Sequence, residues 1–216
     1  MKILAFAASL RTGSLNRKLI QVAVDIVRGE GTDVDLAEFR EFGMPMYDGD
    51  LEEREGLPAG AVELTRRVAA ADALMISTPE YNFSIAGTLK NAFDWVSRVR
   101  PMPWRGRSVY LMAASPSAMG GVRGLWQARI PFEGCGALVF PDMFALPHAH
   151  EAFDGNGRLH DAKLMQRLER EVTGFIRLAE AAASACNESA SGTARENRDK
   201  IIAALEEQSV IQAGRE

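Results

Sequence analysis

Short apolar runs and helical repeats alternate along the chain. Lys2–Ala8 is apolar, brief and ends at small residues, which predicts a buried strand. Leu19, Val22, Ala23 and Ile26 then recur at helical spacing, and Gly29 and Gly31 close that helix. Val34–Phe39 is a second strand pattern, followed by a loop with Pro45 and Gly49. Pro58 opens a helix to about Ala71, and Ala73–Thr78 is a third strand stopped by Pro79. Leu89, Phe93 and Val96 mark the apolar face of the next helix. Ser108–Ala114 predicts a fourth strand, a glycine-bearing loop and a helix near Gly121–Phe132 come next, and Ala137–Phe140 reads as a fifth strand. Leu164, Leu168, Val172, Phe175 and Ala179 lie on one stripe of a long amphipathic helix.

Five mostly apolar strands in β–α alternation predict a parallel sheet covered on both faces. With right-handed crossovers this is a doubly wound, three-layer α/β sandwich, in which ligands lie beyond the carboxyl ends of the strands where the strand order reverses. Three segments therefore matter most: Ser9–Asn16, Pro79–Ser84 and Ser115–Gly121. The domain is expected to span residues 1–185. After Ala185 the composition turns small and polar ("CNESASGTARENRDK"), the mark of a linker. Ile201, Ile202, Leu205 and Ser209 fall on one side of a short final helix, which either docks or ends the chain as a frayed tail.

Composition narrows the function. With 47% hydrophobic and 25% charged residues the chain is an ordinary globular protein, and its 216 residues suffice for one well-filled core. A net charge of −4 argues against an extended nucleic-acid face. No apolar run reaches the roughly 18–20 residues that span a membrane. Met1-Lys2 leads straight into a strand pattern without a signal-peptide layout, and Cys135 and Cys186 make neither a disulfide framework nor a metal spacing. The expected compartment is the cytoplasm. His148 and His150 lack a partner carboxylate or thiol at ligand spacing, so no metal site is assigned and they are read as surface or loop residues.

The first of the three segments, "SLRTGSLN", passes from a strand into a helix. Amides at a helix start have no intrahelical acceptor and attract anions. Gly13 permits a close approach or a positive φ, Ser9 and Ser14 bring hydroxyls, Asn16 a carboxamide and Arg11 a charged fork. The spacing is neither G-x-G-x-x-G nor a lysine-bearing triphosphate loop, which leaves a monophosphate as the anion. The plainer alternative is that Ser14 or Asn16 caps the helix and Arg11 is solvated. In the second segment Pro79 ends a strand, Glu80, Tyr81 and Asn82 bring polar groups and one aromatic face, Ser84 is placed to cap the next helix, and Gly87 to allow close packing. Beside a phosphate loop, this suggests a flat, hydrogen-bonding ring. In the third, two hydroxyls, Pro116 and glycines make a tight wall or a simple turn.

Together, S-L-R-x-G-S-x-N-R (Ser9–Arg17), P-E-Y-N-F-S-x-x-G-x-L-K-N-x-x-D-W (Pro79–Trp95) and the Gly120–Gly121 loop resemble the NADPH-dependent FMN reductase family, the flavodoxin-like group that includes chromate and quinone reductases and some azoreductases. "MPMYDGDLE" (Met44–Glu52) resembles that family's loop after strand two, and the likeness extends over about residues 1–180. The resemblance implies a five-stranded sheet in the order 2-1-3-4-5. It implies that Ser9, Arg11, Ser14, Leu15 and Asn16 hold the FMN 5′-phosphate, and that Pro79, Glu80, Tyr81 and Asn82, partly through backbone atoms, border the ribityl chain and ring. Ser115, Gly120 and Gly121 lie near the ring's other edge. Phe83 stands where relatives often carry tyrosine, so a hydroxyl contact is lost there, at a subunit interface or in substrate positioning, without loss of flavin binding.

The resemblance further implies an oxidoreductase in which NAD(P)H delivers hydride to bound FMN, and a quinone, azo compound, metal oxyanion or free flavin then takes it by a ping-pong sequence. No catalytic side chain is assigned. A homodimer or homotetramer is implied, with Trp95, Arg98, Arg100 and Trp104 either at an interface or at a solvated helix end. The rival readings are a non-enzymatic flavodoxin-type electron carrier and a flavin-binding sensor module. A phosphatase is excluded, because a thiolate with an arginine six residues on is missing from the first loop.

Overall fold

A computed structural model describes residues 1–188 and 194–213. In chain order the elements are β1 (Lys2–Ala7), α1 (Leu15–Gly29), β2 (Asp33–Ala37), α2 (Gly49–Glu55), α3 (Ala59–Ala70), β3 (Ala73–Ser77), β4 (Glu80–Tyr81), β5 (Ser84–Ile85) and α4 (Gly87–Val96). Then come β6 (Ser108–Ala114), α5 (Val122–Gly134), β7 (Leu138–Val139), β8 (Phe144–Leu146), α6 (Ala162–Glu188) and α7 (Ala194–Ala213).

The main sheet is parallel, in the order β2-β1-β3-β6 with β7 and β8 beyond β6. Ile3 pairs with Val34 on one side and Ala73 on the other, and Ala73 pairs with Ser108. Alternation along β1 sorts side chains into two cores. Ile3, Ala5 and Ala7 face α1 and α6, where Leu19, Ala23, Val27, Leu168, Val172 and Phe175 are buried. Leu4 and Phe6 face the opposite layer, with Leu64 and Val68 of α3, Phe93 and Val96 of α4, and Leu125 and Phe132 of α5. Each large side chain removed from water in these layers is worth about 1.5–3 kcal/mol, so the pattern that made the strands mostly apolar also holds the three layers together.

The fifth strand departs from expectation. Within Ala137–Phe140 only Leu138 and Val139 form the strand, β7, paired with Ser108 and Val109, and a second short segment, β8, pairs with Met112–Ala114. Pro141 lies between them and has no amide to donate, so the edge breaks there and resumes at Phe144.

Of the two alternatives for the final helix, docking is the one observed. Ile201 and Leu205 are buried against Leu57, Ala61, Ala69, Trp95 and Val99. Arg198 donates to the carbonyls of Ala69 (2.9 Å) and Ala70 (3.1 Å), finishing the carboxyl end of α3. Of the stretch read as a linker, residues 186–188 continue α6 and 194–200 belong to α7, while 189–193 and the Ser209 side chain lie outside the described residues. Trp95 and Trp104, read as interface or helix-end residues, are core residues with 0% and 1% exposure. Among the described residues no helix is long and apolar enough to cross a membrane.

Candidate functional site

β1, β3 and β6 are neighbours, so the loops leaving their carboxyl ends stand side by side. The order of the sheet reverses between β1 and β3, and the first two loops flank that point. Short bonds tie the strand ends together: Ala8 donates to Ser77 O (2.8 Å) and Thr78 to Met112 O (2.8 Å).

The first loop ends in α1, whose first turn is capped by Ser14 Oγ accepting from the Arg17 amide at 3.4 Å. Asn16 is 3% exposed and its carboxamide is tied to the protein through both its oxygen and its nitrogen. Its Nδ2 donates to Ala114 O (3.1 Å), while Oδ1 accepts from the Ala114 amide (2.9 Å) and the Ser77 hydroxyl (2.8 Å). Asn16 thus pins the helix start to the ends of β3 and β6. Thr88 Oγ1 of α4 adds a 3.3 Å bond to Ala8 O. Among the described residues, the amides of Leu10, Thr12, Gly13, Ser14, Leu15 and Asn16 find no acceptor, and the exposed Arg11 side chain has no partner. Such a set of donors at a helix start suits a phosphate group. Gly13 does not use a positive φ and has open space around the position of a Cβ.

Beyond β3, the second segment forms a hairpin rather than an open loop. β4 and β5 pair antiparallel across Asn82 (φ 49°) and Phe83 (φ 65°), both left-handed, as a two-residue hairpin turn of the primed type requires. Ser84 consequently lies in β5, and α4 begins at Ala86 without a side-chain cap. Gly87, assigned to close packing, has nothing within 4 Å of a Cβ. Tyr81 and Phe83 are exposed. The Glu80 carboxylate is buried, with 7% of the side chain exposed. Its Oε2 accepts from the amides of Arg123 (3.0 Å) and Gly124 (3.1 Å), and Oε1 from Arg123 Nε (2.8 Å). Burial works against ionisation here, but the Arg123 guanidinium and the two amides outweigh it and hold the carboxyl below its ordinary pKa.

The third loop is built from backbone close to backbone. Ser115 donates its amide to Leu146 O (3.1 Å), and its hydroxyl accepts from the Ser117 amide at 3.2 Å. Gly120 has φ 62°, and a Cβ there would lie 2.9 Å from the backbone of Leu146 and Pro147. Gly121 has φ 90°, caps α5 without a side chain, and would bring a Cβ within 2.8 Å of Ala113 Cβ. The loop after β6 thus stands against the hairpin after β3, where a Cβ at Gly121 would lie 3.7 Å from Glu80 Cβ. Ser9, Arg11, Ser14, Leu15 and Asn16 gather beyond the neighbouring strand, β1. Two members of the site, Arg123 and Gly124, carry no signal in the sequence. They come after Gly121 in an ordinary helical start, and their partner stands 43 residues upstream.

A parallel sheet in this order, with an open anion cradle after β1 and two walls after β3 and β6, defines a flavodoxin-like flavoprotein. The chain belongs to the NADPH-dependent FMN reductase family, whose model matches residues 1–151. It is 35% identical to the NAD(P)H-dependent FMN reductase of Pseudomonas aeruginosa, over 80% of this chain and 91% of that one. Against the quinone reductase of Escherichia coli K12 the identity is 29%, over 81% and 93%. The solved structure of FerB, a flavoenzyme NAD(P)H:(acceptor) oxidoreductase from Paracoccus denitrificans, superposes with a TM-score of 0.72 at 28% identity, covering 84% of this chain and 98% of that one. The protein is accordingly an oxidoreductase with FMN as cofactor and NAD(P)H as electron donor.

Proposed function

We propose that the six open amides between Leu10 and Asn16 hold the FMN 5′-phosphate, and that the protein passes electrons from NAD(P)H to a small oxidant such as a quinone, with azo compounds, metal oxyanions and free flavins as further acceptors. The observation that carries this reading is the combination of those unpartnered donors with an unpaired Arg11 at the point where the sheet order reverses. The residues fit a monophosphate dianion: two buried serines, Ser9 and Ser14, and a guanidinium stand beside the amides. Asn16 shapes the cradle from behind and keeps its carboxamide off the phosphate. Pro79–Asn82 and Ser115–Gly121 border the ribityl chain and ring, with backbone groups rather than acid–base side chains turned to it.

When bound, FMN supplies hydride acceptance and donation. The chain's part is to fix the ring against two walls and to leave one face open, so that NAD(P)H and the acceptor use that face in turn. The exposed aromatic rings of Phe83, in the hairpin turn, and Trp126, on α5, support assembly as a homodimer or homotetramer. The test is an anaerobic absorbance titration of the FMN-loaded protein with NADPH and NADH. Bleaching of the flavin band within seconds, then recovery on adding a quinone, is the expected result. A bound flavin that stays oxidised with both donors would make this a carrier or sensor, and failure to bind FMN would sink the phosphate assignment.

A further inference from the structure

We propose that Glu80 is a positioning residue: through Arg123 and the first turn of α5 its carboxylate sets the spacing between the β4–β5 hairpin and the Ser115–Gly121 loop, the two walls of the ring site, without that carboxylate touching the flavin. This role rests on the flavin assignment and deepens it.

Three features carry the inference. The helix α5 begins at a glycine that offers no capping oxygen, and its second and third amides would be orphaned. Glu80, from another element 43 residues away, accepts from both with one oxygen while the other takes the Arg123 side chain. A buried carboxylate with three donors is occupied, and what it holds is the relation between two loops. Gly124 adds the second feature. A Cβ there would stand 3.1 Å from Glu80 Cα and Cβ and from Ser84 O, so the hairpin backbone rests directly on the helix. Third, the Arg123 guanidinium lies 4.3 Å from the centre of the Phe83 ring, clasping the tip of a turn whose positive φ values persist only where the surroundings hold them. The phosphate cradle is built separately, by Ser14, which caps α1, and Asn16 in the first turn of that helix, and none of their bonds reaches Glu80.

The test compares dissociation constants of FMN and riboflavin for the wild type, Glu80→Ala, Glu80→Gln, Arg123→Ala and the double variant Glu80→Ala/Arg123→Ala. Loosening the walls should weaken both flavins by the same factor, on the order of tenfold, leaving their ratio, which reports on the phosphate cradle, unchanged. Glu80→Gln keeps a carbonyl for the amides, folds, and should fall in between. The double variant should be no weaker than Glu80→Ala alone, because removing the carboxylate already removes the contact that Arg123→Ala deletes. Gly124→Ala, which pushes the hairpin off the helix, should reproduce the loss. If Glu80→Ala and Glu80→Gln lower only thermal stability and bind both flavins like the wild type, Glu80 is a helix cap alone and the proposal falls. It falls equally if Arg123→Ala binds both flavins normally while Glu80→Ala does not, since the guanidinium would then take no part in setting the walls. A wild type that binds neither flavin overturns the underlying site assignment, and this inference with it.

Discussion

Two helices start at the same edge of the sheet, α1 after β1 and α5 after β6, and their first turns are finished in opposite ways. At α1 the cap is local: Ser14 serves Arg17, and the amides of Leu10 and of residues 12–16 are left open. At α5 no local cap exists, and Glu80 arrives from the hairpin to occupy the second and third amides. Both ends carry the partial positive charge of a helix start. Only one can still take an external anion, because the other already holds a carboxylate. A helix N-terminus is thus a site or a joint according to what the rest of the fold brings to it.

The contrast can be broken most forcefully at the closed end. Gly120→Ala should cost about 2–4 kcal/mol in chemical denaturation, because a side chain would be forced into a left-handed conformation against the backbone of Leu146 and Pro147. A value near zero would mean that the third loop is free to shift. Next comes the buried anchor: Asn16→Ala strands the Ala114 amide and carbonyl and should cost about 2–3 kcal/mol. At the open end, Arg11→Ala should leave stability alone yet weaken FMN by about 1–3 kcal/mol and riboflavin not at all, measured by flavin fluorescence quenching. Equal loss for both flavins would remove Arg11 from the phosphate.

Acid should act on the closed end selectively. The folded carboxyl of Glu80 lies below its ordinary pKa, so its stabilising effect is complete above the ordinary carboxylate range and is lost as pH falls through the folded value. The stability margin of the wild type over Glu80→Gln should therefore shrink between about pH 7 and about pH 3. A margin that grows on acidification would contradict the ion pair. The smallest effect is expected at Gly13, where a Cβ meets nothing: Gly13→Ala should change stability by less than about 0.5 kcal/mol.

Much of this was legible along the chain. Strand and helix periodicity depends on neighbours a few residues apart, so β1, β3, β6 and the apolar faces of α1, α4 and α6 could be read directly. The three loops came from the rule that ligands sit beyond parallel strand ends. Turn chemistry was less legible. Ser84 carries the residue type of a cap but pairs in β5, because Asn82 and Phe83 turn the chain back on itself. Pro141 was visible in the sequence, yet that the sheet edge resumes at Phe144 depends on β6 being long enough to pair twice.

The sequence by itself determined the order of the main parallel strands and of the helices that cover them, the three loops beyond the strand ends, and the kinship those motifs announce, since each is encoded within a short stretch. Only the tertiary structure decided how the polar groups were shared out. Asn16, suited by type to a ligand, is consumed by β3 and β6. Glu80, placed among polar loop residues, closes a helix 43 residues on. Ile201 and Leu205 bury themselves on a face formed by α3 and α4. In each case the outcome depends on which donor, acceptor or apolar surface folding brings within reach, and that is a property of distance in space, which no spacing along the chain expresses.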